Sequence, residues 1–165
     1  MADLEEVRKT IHFLNNPKEI IILHCVSEYP TGPLLEQRGL KALDERDAHL
    51  NMIKILKKEF PTFKIGYSDH TDGIFVPVIA AAMGAEVLEK HFTLDRQTPV
   101  RNYIQKKEYM GTDHVLSVET DDLKEMVDLI RRVENCQGGI KWDRSKGEHI
   151  LRDFLRSRYT EQEKK

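Results

Sequence analysis

Residues 19–26 read EIIILHCV, a continuous apolar run of strand length. Such a run suits a parallel strand covered on both faces, because an edge or half-exposed strand alternates polar with apolar. Two further stretches have the same character downstream: FKIGYSD at 63–69 and AEVLEKHF at 85–92. Helical patterns lie between and around them. Leu4, Val7, Ile11 and Leu14 share one face of a helix over Asp3 to Leu14, which Asn15-Asn16-Pro17 ends. After the loop YPTGP come helical stretches at about Leu34 to Asp44 and Asp47 to Phe60, the second closed by Pro61. HTDG is a loop, Ile74 to Met83 a helix of small residues, and Gly84 stands where a C-terminal cap glycine belongs. A long polar connection spans about Thr93 to Glu119. Thr120 is then the expected N-cap of TDDLKEMVDLIRRVE, whose apolar face is Leu123, Met126, Val127 and Ile130. Gly138-Gly139 breaks that pattern. The tail from about Lys146 to Tyr159 reads as one more amphipathic helix, with Ile150, Phe154 and Leu155.

The order α-β-α-β-α-β-α implies parallel strands joined by right-handed crossovers. The fold class is α/β, with about three parallel strands and flanking helices. A complete eight-stranded α/β barrel takes about 250 residues, and this chain has 165, so the expectation is a partial TIM (β/α)8 barrel. Residues 1–140 form that portion and 141–165 a helical tail.

Composition narrows the function classes. With 39% hydrophobic and 33% charged residues the chain is globular. The 26 basic and 28 acidic residues leave a net charge of −2, which supplies no field for nucleic acid or an anionic membrane. No apolar run reaches the roughly 18 residues of a membrane span. Cys25 and Cys136 match no zinc or redox spacing and are expected as free thiols in the cytoplasm.

Side chains alternate along a strand, so residues two apart share a face. Cys25, Ser27 and Tyr29 share one; Gly66, Ser68 and His70 share one; Val87, Glu89 and His91 share one. In an α/β barrel, catalytic groups come from the C-terminal strand ends and the loops that follow. His70 and His91 lie 21 residues apart, one short βα unit. Neighbouring strands are about 4.8 Å apart, so the two imidazoles can reach one divalent ion and leave positions open for substrate. The alternative, that both are ordinary polar residues, stays open on the residues alone. Ser68 has an equally ordinary reading as a turn residue. Glu89 on the inner face needs a partner or a proton. Cys25 reads as core, His24 as a hydrogen-bonded residue of the outer face, and Lys90 as a structural residue directed to the helix layer.

The stretches ILHCVSEYPT, IGYSDHTDGI, GAEVLEKHFTLD and GTDHVLSVETDDLKEMV, in that order, resemble the sialic acid synthase family, which includes N-acetylneuraminate, legionaminic and pseudaminic acid synthases. The resemblance runs from about Asp3 to Glu134. It implies a TIM-barrel enzyme that condenses phosphoenolpyruvate with an N-acetylated amino sugar. It also implies a divalent metal, manganese or magnesium, at His70 and His91. Ser68 and Ser27 match positions near phosphoenolpyruvate, although Ser27 stands where members often carry asparagine. Tyr29 and Glu89 match further active-site positions, Glu89 as the catalytic group, and Asp113 matches a sugar contact. Departures are insertions around Glu36 to Arg46 and Thr98 to Gly111, and a tail unlike the family's C-terminal domain. Five preceding strands are expected to be missing, so the barrel's N-terminal half or a second copy is the expected partner. Two rivals remain: an inactive barrel remnant or assembly module, and another metal-dependent barrel enzyme such as an aldolase or hydrolase.

Overall fold

The structure is a computed structural model that describes residues 2–15, 19–27, 45–102, 107–109, 112–138 and 144–162. The expected helix at Leu34 to Asp44 lies outside these residues. Helix α1 (Leu4–Phe13) opens with a capping box in which the Asp3 carboxylate accepts from the Glu6 N–H and the Glu6 carboxylate accepts from the Asp3 N–H. This satisfies two groups near a helix start that have no intrahelical partner. Strand β1 (Ile21–Cys25) follows, then a 3₁₀ turn (Glu45–Ala48), helix α2 (Asn51–Glu59), strand β2 (Lys64–Asp69), helix α3 (Phe75–Ala82) and strand β3 (Val87–Lys90).

The three strands form one parallel sheet in the order β1-β2-β3. Register aligns Cys25 with Ser68 and Ser68 with Glu89. The sheet extends one step further. Phe92 and Val118 form a parallel bridge, with the Thr93 N–H donating to Val118 O at 3.0 Å and the Val118 N–H to His91 O at 2.9 Å. Helix α5 (Thr120–Gln137) leaves directly from this fourth strand position and packs against α3. The repeating βα unit of a TIM-type barrel is therefore present with three full parallel strands and a bridged fourth.

Even-numbered residues of β1 and their counterparts face the helices. Ile22, Ile65 and Tyr67 are buried there with Ile11 of α1, Ile53 and Leu56 of α2, and Val76 and Ala80 of α3, and Leu88 packs against them. Full burial of each large aliphatic group contributes about 1.5–3 kcal/mol, so this layer is the principal source of stability. On the opposite face the strands approach closely. A Cβ added at Gly66 would lie 2.5 Å from the Val87 carbonyl oxygen and against the Leu23 side chain.

Three element boundaries differ from the sequence reading. The helix expected from Asp47 begins at Asn51, because His49 takes a φ of 45° and separates the 3₁₀ turn from α2. The long polar connection contains an antiparallel pair, β4 (Val100–Asn102) with β5 (Lys107–Tyr109), and a short helix α4 (Thr112–Leu116). The N-cap of α5 is Glu119, not Thr120. The tail is helical: α6 spans Lys146–Gln162 and leaves Ile150, Leu151, Phe154 and Leu155 exposed. Among the described residues no helix is long and apolar enough to cross a membrane.

Candidate active site at the strand ends

The parallel ladder ends at the pair Asp69 and Lys90. His70 and His91 are the next residues on their strands, and their rings lie 5.3 Å apart between centroids at 34°. His70 is buried, with its Nδ1 3.1 Å from Val26 O. A carbonyl oxygen can only accept, so Nδ1 carries the proton and the lone pair of the neutral ring is on Nε2. Such a backbone partner fixes tautomer and ring orientation in metal-binding histidines. Cys25 Sγ also approaches Nδ1, at 3.7 Å, and lies 3.6 Å from Ser27 Oγ. The sequence reading made Cys25 a core residue; it is only partly buried and sits beside His70.

One step back along the strands, Ser68 Oγ donates to Glu89 Oε1 at 2.7 Å. Ser68 is buried, whereas Glu89 is exposed in this chain. Glu89, which on the inner face needs a partner or a proton, has a partner: its carboxylate accepts from that hydroxyl and also meets solvent. Ser27, just past β1, is exposed. Asp113 lies in α4 with an exposed side chain, and its carbonyl accepts from Ser117 Oγ at 2.7 Å. Tyr29 lies outside the described residues.

The other strand face carries a group that side-chain alternation alone did not reveal. Asp69, almost fully buried, accepts from Tyr67 Oη at 2.9 Å and from the Thr71 N–H at 3.2 Å. It also accepts from Thr71 Oγ1 at 2.9 and 3.0 Å, and from Lys90 Nζ at 2.7 Å. Lys90 Nζ donates in addition to the Thr71 carbonyl. The ion pair is nearly sealed from solvent, with side chains 3% and 0% exposed. Burial, followed by the charge of Asp69 and its hydrogen bond, pushes the Tyr67 phenol far above its usual range, so it stays a donor. Removing one partner of such a pair costs about 3–5 kcal/mol. The signal in the sequence was Asp69 and Lys90 on one face, in strands that alternate correctly; the register needed to pair them was not available there. His24 is where the sequence placed it, with Nε2–H donating to Ala48 O at 2.8 Å.

The two imidazoles supply nitrogen donors of the type divalent transition metals take. Among the described residues no cluster of three or more His, Cys, Asp or Glu groups is arranged to hold an ion. The donor set therefore fits a two-point site, with remaining positions for water or substrate, and does not fit a closed structural one.

Parallel strands backed by helices, with polar side chains gathered at their C-terminal ends, define the class: part of a TIM-type α/β barrel. Residues 1–141 match the NeuB family, and the chain belongs to it. It is 41% identical over 140 residues to an uncharacterized protein of Methanocaldococcus jannaschii, covering 84% of this chain and 34% of that protein. It is 34% identical over 166 residues to the N,N'-diacetyllegionaminic acid synthase of Legionella pneumophila, covering 97% of this chain and 40% of that one. The crystal structure of the N-acetylneuraminic acid (sialic acid) synthetase of Leptospira borgpetersenii in complex with citrate aligns over 95% of this chain and 47% of its own. The TM-score is 0.72 and the identity 32%. The chain thus spans less than half the length of the proteins it resembles.

Proposed function

We propose that this chain forms the C-terminal part of a barrel that condenses phosphoenolpyruvate with an N-acetylated amino sugar to give a nonulosonic acid. The observation that carries the reading is the His70–His91 pair just beyond the ends of two parallel strands, with the His70 tautomer set by Val26 O. Family membership supports the reaction class. His70 and His91 would hold a divalent ion, manganese or magnesium, which when bound supplies Lewis acidity toward a carbonyl oxygen.

The chain's own residues have separate tasks in this reading. Ser27 donates to an oxygen of phosphoenolpyruvate, and Ser68 does so when substrate draws its single hydroxyl proton away from Glu89. Glu89, already accepting from Ser68, orients that hydroxyl and takes or returns a proton at the reacting centre. Asp113 and Tyr29 receive sugar hydroxyls. The methylene carbon of phosphoenolpyruvate forms a bond to the sugar's aldehyde carbon, whose oxygen takes a proton. Water adds to the neighbouring phosphate-bearing carbon, and as it loses its protons the C–O bond to phosphate breaks and a keto group is left. The products are a 2-keto acid and inorganic phosphate. The barrel's contribution is to hold both substrates in attacking geometry. Cys25 and Cys136 are free thiols. In this reading the remaining strands are supplied by a polypeptide segment that carries them.

Titrating the chain with manganese by calorimetry tests the metal assignment. Weak binding is expected, and His70→Ala or His91→Ala should abolish it. Unchanged affinity in both variants would make the pair structural. Phosphate release from phosphoenolpyruvate and N-acetylmannosamine, measured with the remaining strands supplied, tests the reaction.

A further inference from the structure

The ladder that holds β2 to β3 stops at Asp69 and Lys90. His70 and His91 are one residue past it, where backbone pairing between those two strands no longer sets their separation. The side chains of the last paired residues take over on the face turned away from the histidines. Lys90 precedes His91; Asp69 precedes His70; Thr71 follows it. The ion pair of 2.7 Å joins the two preceding residues. Asp69 also takes the Thr71 N–H and hydroxyl, and Lys90 donates to the Thr71 carbonyl. The backbone on both sides of His70 is therefore tied to the residue before His91 through one buried carboxylate and one buried ammonium. Tyr67 Oη fixes the same carboxylate from two residues upstream.

We propose that Asp69, Lys90 and Thr71 are positioning residues that set the spacing and orientation of the His70–His91 pair. The inference rests on the reading of those histidines as the working pair, but its test separates the two. A buried network is specific in this way because its donors and acceptor have one mutually satisfied arrangement. A lone buried charge would be intolerable here, so the informative variant removes both charges together.

The test uses the full chain carrying Asp69→Asn and Lys90→Met, with fold checked by far-ultraviolet circular dichroism. Nuclear Overhauser contacts between the His70 and His91 rings are the primary readout, and manganese affinity the second. In the parent, ring-to-ring contacts are expected. In the folded double variant they should disappear, and manganese affinity should fall at least tenfold. Ile53→Val, which loosens the core away from the strand ends, should keep the ring contacts despite its lower stability. If the parent takes no manganese while the ring contacts still depend on the pair, the positioning role stands and the metal assignment fails. Ring contacts and manganese affinity unchanged in the folded double variant would overturn the proposal. Should the double variant not fold, Thr71→Val decides the matter. Weakened ring contacts in it support the positioning role, and unaltered ones overturn it.

Discussion

Gly66 faces the same side of the sheet as Ser68 and His70, and the backbone of β3 runs close enough to exclude any larger residue. Gly66→Ala should force β2 from Val87 and the Leu23 side chain, at a cost of about 1–3 kcal/mol. Urea denaturation measures that loss directly; full stability in the variant would mean the strands separate freely. His24 makes a different prediction. Burial holds its pKa below the usual 6.5, with His49 lowering it further and the bond to Ala48 opposing. A base depressed in the folded state is protonated first in the unfolded chain. Its stabilising contribution is therefore present above the unfolded value and is lost as pH falls through the folded one. His24→Gln keeps a donor for Ala48 O and should flatten the fall in stability between about pH 7 and pH 5. A wild-type slope in that variant would assign the effect to other groups. At this scale, alternation along strands was enough to place Ser68, His70, Glu89 and His91 on one face. It could not show which residues meet across strands, because that requires register, and so the Asp69–Lys90 pair was missed.

Elements were legible where a periodic apolar face ran long enough. Helix α1, helix α3 and the three parallel strands lie where their patterns put them. The start of α2 was not legible because a single residue, His49, adopts a left-handed backbone that no propensity marks. β4 and β5 span three residues each, too few for alternation to register. The start of α5 turns on side-chain geometry. The Asp122 carboxylate accepts from the Glu119 N–H at 3.1 Å, and Glu119 accepts from the Arg96 N–H at 2.7 Å. The Arg96 guanidinium reaches Asp122 at 3.3 Å, so the loop after β3 is fastened to the helix start. Asp122→Ala should lower stability by about 0.5–2 kcal/mol, the range for a lost helix cap. Asp122→Asn retains an acceptor for the Glu119 N–H and should recover most of the loss in thermal denaturation. Equal losses in both variants would place the effect in the Arg96 ion pair instead.

Across the whole molecule, the decisive question is whether the strand ends seen here are sufficient for turnover. Phosphoenolpyruvate brings a phosphate and a carboxylate, and both need cationic or hydrogen-bonding partners held in place. The face that carries His70 and His91 offers hydroxyls and the Glu89 carboxylate. Lys90, on the opposite face, is committed to Asp69 and Thr71. Arg96 is engaged by Asp72, Glu119 and Asp122. The side chains of Arg101, Lys106 and Lys107 lie outside the described residues. Among the described residues β1 has no strand on its outer edge, and Ile21 of that strand is 45% exposed. Such an edge pairs readily with another chain. Supplied with phosphoenolpyruvate, N-acetylmannosamine and manganese, the chain should release phosphate at no more than background rate, and sedimentation should show association that grows with concentration. Adding a polypeptide that carries the other barrel strands should restore turnover and suppress self-association, since one edge cannot take both partners. Sustained phosphate release by the monomeric chain would overturn this expectation and would assign the phosphate grip to Arg101, Lys106 and Lys107.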